Sequence, residues 1–370
     1  MSDTFQIELD TAAFRDALSI VARVIPTRSP KASLLCVHLG ASDGKLQLKG
    51  SDGDALVSLD MLRVEVVEPG QRLVPLDKLR AFAARVTTPT LRLTAGPNGS
   101  VLLAAGGIKA TINGMPDADP PSVYVGEVEP WTTLSVTDLR RGLSACLPAV
   151  ARENSRYAIR GVALAPEGNG VDFVATDGHR LHKATVPGKS DGKLIVLPAR
   201  LATLLLAMPG EGDASVETDN QHAVFKGDGW ALTGGLVQGN FPPYRDVIPK
   251  RAQQTIAVTV GTAELAEALG AASVFVTSET KGVRVKVGEG MSLETVAPED
   301  GRSDVVVSGA ACEGGAIELG INPAYALDAV KGAGVESVEL SMISANKPVL
   351  VMGGDFTGVV MPVNLEGGGA

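Results

Sequence analysis

Apolar and polar residues alternate along the 370-residue chain in a pattern that recurs three times. Each copy starts as a short alternating strand and continues into about three turns with apolar residues at helical spacing, as at Phe14 and Leu18. The turn from strand to helix lies at Asp10, Val136 and Val260, so the unit recurs after 126 and 124 residues. A period of this length indicates a repeat the size of a domain.

A threonine follows each of these turns, at Thr11, Thr137 and Thr262. A Thr side-chain oxygen accepts hydrogen bonds from the free N–H groups at a helix N-terminus. We therefore expect these three side chains to cap the three helices.

A second strand-to-helix unit, starting near residues 72, 194 and 317, recurs with almost the same spacing. Pro75, Pro198 and Pro323 stand at or next to the predicted start of its helix, where proline's missing N–H does no harm. Alternating strands with turn residues lie between the helices and indicate antiparallel hairpins. Two helices and several hairpins in each copy predict an α+β fold of three repeated domains.

Proline-rich segments at residues 115–122 and 241–250 end the first and second copies. They predict domains at residues 1–126, 127–250 and 251–370. The length agrees, because a single hydrophobic core seldom serves a chain this long.

The composition is that of a globular protein, with 45% apolar and 20% charged residues. The longest apolar run is short, and the first ten residues lack the apolar stretch of a signal peptide. The cysteines Cys36, Cys146 and Cys312 are far apart and form neither a CxxC pair nor a disulfide framework. We therefore expect a cytoplasmic protein that needs no metal and no cofactor.

The net charge of −9 argues against a protein that coats nucleic acid through overall positive charge. It does not exclude a local basic surface. The predicted helices carry nine Lys and Arg residues against six Asp and Glu residues, so they are more basic than the rest of the chain.

Two readings of the candidate chemistry stay open from the residues alone. The GKS at 188–190 has Lys183 where a phosphate-binding loop requires its first glycine, so no nucleotide site is predicted. Asp177, His179 and His182 are candidate metal ligands of a hydrolase. A polar Asp-Gly turn between two strands explains the same residues equally well.

The segment ATDGHRL at 175–181 closely resembles the signature of the bacterial sliding clamp family, the beta subunits of DNA polymerase III. Similar segments follow the family's order: SRYAIRG at 155–161, FPPYRDVIP at 241–249, KGVRV at 281–285, INPAYALDAV at 321–330 and VVMPVNL at 359–365. The resemblance implies the DNA clamp fold, a head-to-tail dimeric ring of three-domain chains with helices lining the hole. It also implies a non-catalytic processivity factor that encircles duplex DNA.

The resemblance further implies a hydrophobic groove between the second and third domains. This groove would receive short linear peptides from the polymerase catalytic subunit, the clamp loader and repair proteins, through Leu or Phe anchors. Its walls would be Ile159, Thr176, Gly178, His179, Arg180, Leu181, Pro242, Val247, Val349, Val359, Val360, Met361, Pro362 and Val363.

Two further sets of residues are carried over from the family. The residues that would face DNA are Arg28, Arg152, Arg200, Lys281, Arg284 and Tyr325. The residues that would join the first domain of one chain to the third domain of the other are Lys78, Ile112, Val274 and Phe275. Asp77 stands where the family often has a cation, which weakens the expected DNA contact there.

Asp246 and Asn364 replace arginines that are frequent in the family. We expect altered electrostatics at the rim of the groove, with the apolar anchors retained. Two alternatives to a replicative clamp are a clamp-like paralogue with a changed partner set, from inhibitor resistance or a mobile element, and the metal-dependent hydrolase.

Overall fold

The computed structural model describes residues 4–115, 119–152, 157–277, 282–297 and 299–365. Contacts within the chain divide it into two compact units. The first unit is Met1–Thr137 with Thr203–Leu236, and the second is Asp138–Ala202 with Val237–Ala370. Among the described residues, no helix is long and apolar enough to cross a membrane.

Helices and antiparallel strands are mixed along the chain, which confirms the expected α+β class. The described residues form the helices α1 (Thr11–Val21), α2 (Leu76–Arg85), α3 (Val136–Cys146), α4 (Ala199–Leu206), α5 (Tyr244–Val247), α6 (Thr262–Ser273) and α7 (Pro323–Ala333). The strands up to residue 135 are β1 (Gln6–Asp10), β2 (Cys36–Ser42), β3 (Lys45–Ser51), β4 (Ala55–Met61), β5 (Val64–Glu68), β6 (Gly70–Pro75), β7 (Thr90–Ala95), β8 (Val101–Ala105), β9 (Ile108–Ile112) and β10 (Glu129–Ser135).

The remaining strands continue this numbering. They are β11 (Gly161–Glu167), β12 (Gly170–Thr176), β13 (Arg180–Pro187), β14 (Ile195–Pro198), β15 (Asp213–Thr218), β16 (His222–Gly227), β17 (Trp230–Gly235), β18 (Ile256–Gly261), β19 (Val283–Val287), β20 (Met291–Ala297), β21 (Gly301–Val307), β22 (Ala311–Glu313), β23 (Ile317–Ile321), β24 (Ser337–Met342), β25 (Val349–Gly353) and β26 (Phe356–Val360).

The first unit contains two antiparallel sheets. One has the strand order β5-β1-β7-β8-β9, and the other has the order β10-β15-β16-β17-β4-β3-β2-β6. Helix α1 packs on α2 and against β3 and β4, with Phe14 and Leu18 fully buried. The helical spacing of these two residues therefore marks the buried face of α1, as the sequence predicted.

The second unit also contains two sheets. The larger has the order β14-β11-β12-β13-β26-β25-β24-β18-β22, and the smaller has the order β21-β20-β19-β23. Helix α7 packs on β25, β26 and α6, and α6 packs on the smaller sheet. The large sheet thus joins strands from residues 161–198 with strands from residues 256–360.

Each predicted strand-to-helix unit is present. The first helix of each repeat, α1, α3 or α6, is anchored in the same way in all three copies. The N–H groups of Thr11, Val136 and Thr262 donate to the carbonyl oxygens of Pro89, Gly212 and Glu336, at 2.8, 2.7 and 2.8 Å. The donors are 125 and 126 residues apart, and the acceptors are 123 and 124 apart. The repeat found in the sequence is therefore also a repeat of tertiary hydrogen bonds.

The expected threonine caps are wrong in all three copies, because α1 and α6 begin at the threonine itself and α3 begins one residue before Thr137. Asp10 is the N-cap of α1 and accepts from the N–H of Ala13 at 2.7 Å. The N-cap of α6 is Gly261, which has no side chain to cap with. The Thr262 hydroxyl donates instead to the carbonyl oxygen of Val335, at 2.6 Å.

A glycine permits the close contact between α3 and the large sheet. A Cβ on Gly142 would lie 2.6 Å from the fully buried ring of Phe173. We expect Gly142→Ala to lower the free energy of unfolding by about 1–3 kcal/mol, because the ring has no room to shift in a packed core. Chemical denaturation measures this change.

Gly270 on α6 is the matched control, because a Cβ there would meet no atom within 4 Å. Gly270→Ala should leave stability unchanged or raise it by up to about 1 kcal/mol, through the better helix propensity of alanine. Equal effects of the two substitutions would contradict the packing argument.

Candidate functional site

Several predicted groove residues lie on one face of the large sheet of the second unit. Strand pairing sets Thr176 opposite Leu181, Leu181 opposite Val359, and Val359 opposite Leu350. Side chains directly opposite each other across strands lie on the same face. Leu181, Val359 and Leu350 accordingly belong to one buried apolar cluster, together with Val174 and Tyr244.

The segment Phe241–Ile248 covers part of this face. Tyr244 on α5 is buried, and Phe241 and Ile248 pack against the apolar cluster. Val247 is 50% exposed, and Pro242 is half-buried. Two of the predicted groove walls are therefore carried by a short segment that lies on the sheet.

The chain after β26 supplies further predicted walls. The N–H of Met361 donates to the carbonyl oxygen of His179 at 2.9 Å, and the Met361 side chain is 38% exposed. Pro362 forms a bridge with Ile321, and the N–H of Val363 donates to Gly320. Ile159 is half-buried in a 3-10 turn at Tyr157–Ile159.

The same register places three other predicted wall residues on the opposite face of the sheet. Arg180 pairs with Val360, and Val360 pairs with Val349. All three are buried. Because side chains alternate along a strand, these residues face the helices while Leu181 and Val359 face the apolar cluster.

Arg180 makes four interactions on the helix side of the sheet. Its guanidinium donates to Asp177 at 3.0 Å, to Asp328 of α7 at 2.5 Å, and to the carbonyl oxygen of Pro148. It also stacks on the ring of Tyr325, 4.3 Å from the centroid. The two carboxylates compensate the charge of a side chain that is only 5% exposed.

The hairpin turn before Arg180 is a hydrogen-bonded structure. Oδ1 of Asp177 accepts from the N–H groups of His179 and Arg180, both at 2.9 Å, and Gly178 has φ 88°. The Thr176 hydroxyl donates to the carbonyl oxygen of Arg180 at 2.7 Å. The turn thus accounts for both residues of the predicted Asp-Gly pair. Asp177 accepts its hydrogen bonds, and Gly178 adopts its positive φ.

The same turn occurs in two other hairpins. Asp52 accepts from the N–H groups of Asp54 and Ala55, and Asp219 accepts from those of Gln221 and His222. The residue after each aspartate has positive φ, as Gly53 does with φ 104°. What distinguishes the turn at residues 176–180 is its last residue, an arginine rather than Ala55 or His222.

The structure does not support the hydrolase alternative. The Asp177 carboxylate is occupied by the turn and by Arg180, and His179 is exposed. His182 is fully buried and lies on the helix side of the sheet. Within the part of the chain that the structure describes, no group of three His, Cys, Asp or Glu side chains is arranged to hold a metal ion.

His182 is held as a neutral ring. Its Nδ1 lies 2.8 Å from the carbonyl oxygen of Ala145, which can only accept, so Nδ1 carries the hydrogen. The ring also meets Phe356 edge-on, with centroids 5.3 Å apart. Burial lowers the pKa of His182 from 6.5 to about 4, because the charged ring would lose its hydration.

The residues expected to face DNA lie in both units. Arg28, Arg152 and Arg200 are exposed. Arg284 on β19 is half-buried and forms ion pairs with Glu318 and, at 4.0 Å, with Glu294. Tyr325 is half-buried beneath Arg180, and Lys281 lies outside the described residues.

The expected dimer residues divide by exposure. Lys78 and Val274 are exposed, with 74% of Val274 open to solvent, and Phe275 is half-buried. Ile112 is buried in the first unit, with 8% exposure.

Sequence reasoning missed several exposed apolar residues near sheet edges. Leu102 and Ile108 lie on β8 and the edge strand β9, and Val306 lies on the edge strand β21. Val306 is 76% exposed. The sequence of a short alternating strand does not show whether the strand lies at the edge of a sheet, because that position depends on the pairing of the whole sheet.

Comparisons with known proteins point to one family. The family model for the central domain of the DNA polymerase III beta subunit matches residues 133–243, and the model for the C-terminal domain matches residues 245–364. The beta sliding clamp of Pseudomonas aeruginosa is 27% identical over 360 residues, covering 94% of this chain and 96% of the relative. The beta sliding clamp of Escherichia coli K12 is 26% identical, with 88% and 91% covered.

Solved structures show the same fold. A crystal structure of a sliding clamp from Pseudomonas aeruginosa aligns with a TM-score of 0.90 at 24% identity, covering 98% of this chain and all of that one. The DNA polymerase sliding clamp of Bacillus subtilis aligns with a TM-score of 0.87 at 19% identity, covering 98% and 99%.

The buried neutral His182 predicts a loss of stability in acid. Its pKa is lower in the folded chain than in the unfolded chain, so the unfolded chain takes up the proton first as the pH falls. This contribution should lower the free energy of unfolding by about 2 kcal/mol between about pH 7 and about pH 5. Denaturant titrations at the two pH values measure the loss.

His182→Gln should reduce this pH dependence, whereas His179→Gln at the exposed neighbour should leave it as in the wild type. An unchanged pH dependence in His182→Gln would show that the buried ring is not the cause.

Proposed function

Because the chain belongs to the DNA polymerase III beta subunit family, we propose that it is a processivity clamp for a replicative DNA polymerase. Two such chains form a ring around duplex DNA and tether the catalytic subunit to it. The observation that carries this proposal is the match to a beta sliding clamp over 94% of this chain and 96% of the relative. The protein is a non-catalytic accessory subunit, and it works in the cytoplasm.

The repeated architecture suits a ring. We propose domain boundaries at 126/127 and 250/251, so that each domain contributes one pair of long helices: α1 with α2, α3 with α4, and α6 with α7. A ring that slides needs contacts to phosphates and none to base edges. Exposed cations on or next to these helices can supply such contacts, such as Arg80 on α2, Arg200 on α4 and Arg23, which follows α1.

The net charge of −9 agrees with a ring that slides on DNA. Helices with an excess of cations leave the rest of the chain more acidic than the average. An acidic exterior would repel the DNA backbone, and a weakly basic lining would let it slide. The acidic helix α6, with Glu264 and Glu267 and no cation, makes the lining uneven.

We propose the dimer contact at sheet edges. Among the described strands, β9 and β21 lie at the edges of their sheets, and an edge strand can pair with a strand of another chain. Exposed Ile108 on β9 and exposed Val306 on β21 would add apolar contact there, beside Val274 after α6. We expect Lys78 and Phe275 to lie at the border of this contact.

We propose that the partner groove lies on the face of the large sheet that bears Leu181 and Val359, with Val247 and Met361 at its exposed border. Peptides from the polymerase, the clamp loader and repair proteins would bind there through apolar anchors. Asp246 lies next to Val247 and is exposed, so the rim is more acidic than in relatives with arginine there.

The ring mechanism predicts that retention on DNA depends on topology. After loading by a clamp loader, the protein should stay on a closed circular plasmid and leave the same plasmid once it is cut. Gel filtration that separates DNA-bound from free protein measures retention. Light scattering on the free protein should give twice the 38.1 kDa chain mass. Equal retention on the circle and on the cut plasmid would exclude encirclement.

The groove predicts a role for Met361 in peptide binding. Met361→Ala removes an exposed anchor contact and should weaken binding of a short peptide with Leu and Phe anchors by about tenfold. Calorimetric titration measures the affinity. The control is Met61→Ala, because Met61 is a half-buried methionine on β4 of the other unit. Unchanged affinity in Met361→Ala would remove this residue from the groove.

A further inference from the structure

A buried carboxylate lies beneath the segment that carries two of the groove walls. Asp172 on β12 is 1% exposed, and it shares its sheet face with Val174 and Leu181. Asp172 is not among the residues expected to line the groove, to face DNA or to join the dimer. A buried carboxylate is costly unless donors surround it, so its partners indicate what it is for.

Three donors meet this carboxylate. Oδ1 accepts from the Thr185 hydroxyl at 2.7 Å and from the Lys183 ammonium at 3.3 Å. Oδ2 accepts from the Tyr244 hydroxyl at 2.8 Å. Thr185 and Lys183 belong to β13, the neighbouring strand, whereas Tyr244 comes from α5 outside the sheet.

The hydrogen bond from Tyr244 is thus a link between the sheet and the segment Phe241–Ile248. Tyr244 is itself 3% exposed, and burial with the adjacent carboxylate raises the pKa of its hydroxyl, so the hydroxyl stays a donor. A donor and an acceptor that are both buried lose much if their bond breaks, because water cannot replace it.

A second polar link between the segment and the sheet is weaker. Arg245 pairs with Glu167 of β11, but both side chains are about half exposed, at 55% and 50%. Exposed ion pairs stabilise little, because water screens them. The position of Pro242 and Val247 on the sheet therefore depends mainly on the bond from Tyr244 to Asp172 and on the apolar contacts of Phe241 and Ile248.

We propose that Asp172 and Tyr244 are positioning residues of the peptide groove. They do not touch the peptide, since both are buried, but they hold the segment that presents Pro242 and Val247 to it. This inference rests on the proposed function, because it assumes that the groove binds peptide.

The variant Tyr244→Phe tests the proposal, because it removes one hydroxyl and keeps the ring. We expect the dissociation constant for the short Leu- and Phe-bearing peptide to rise about five- to tenfold. Dimer mass and retention on circular DNA should stay as in the wild type. The matched control is Tyr124→Phe, since Tyr124 is 86% exposed and far from the sheet in sequence; it should bind peptide like the wild type.

A double-mutant cycle separates positioning from general loosening. If Tyr244 acts by placing Val247, its substitution should matter less once the Val247 side chain is gone. Tyr244→Phe should then raise the dissociation constant less than twofold in a Val247→Ala background. An equally large rise in both backgrounds would overturn the positioning role.

Other outcomes are also decisive. Wild-type affinity in Tyr244→Phe, with a wild type that binds the peptide, would overturn this inference and leave the groove intact. A wild type that binds no peptide would overturn the groove and this inference with it. If Tyr244→Phe does not fold, Asp172→Ala removes the acceptor of the same hydrogen bond, and unchanged peptide affinity in that variant would overturn the proposal.

Discussion

The antiparallel pairing of β13 with β26 is the interaction on which the second unit depends. It joins residues 180–184 to residues 356–360, which are far apart in the chain, and so makes one sheet from two sets of strands. Its register decides which side chains share a face. Leu181 and Val359 face the apolar cluster, while Arg180 and Val360 face the helices, and a shift by one residue would exchange the two sets.

Arg180 stabilises this pairing from the helix side. Its guanidinium connects the hairpin turn, the carbonyl group of Pro148 after α3, and Asp328 and Tyr325 of α7. Removing it would leave Asp177 and Asp328 without their main cation in a partly dry site, which is costly. On the other face, Asp172 performs a similar task for the segment of Tyr244. Two buried charged groups, one on each face of the sheet, thus fix what packs against it.

The same local turn occurs at three places in the chain. The turns at Asp52, Asp177 and Asp219 have the same hydrogen bonds, because an aspartate followed by Gly or Asn closes a tight turn wherever two strands require one. Asp52 and Asp177 are 125 residues apart, which is the length of the repeat. The turn itself is therefore structural, and its neighbours, such as Arg180, give the second copy its particular contacts.

The sequence by itself determined the repeat, the α+β class, the six strand-to-helix units and the Asp-Gly turn, because each rests on local spacing or on backbone preferences of single residues. It also predicted the family through short segments such as ATDGHRL. Tertiary structure decided the rest. The N-cap of α1 is Asp10 and not Thr11. The exact start of this helix depends on a tertiary contact, because the N–H of Thr11 donates to the carbonyl oxygen of Pro89. Which of Val359 and Val360 faces the apolar cluster depends on the pairing of distant strands, and the bond from Tyr244 to Asp172 joins residues 72 positions apart. No local pattern records either contact.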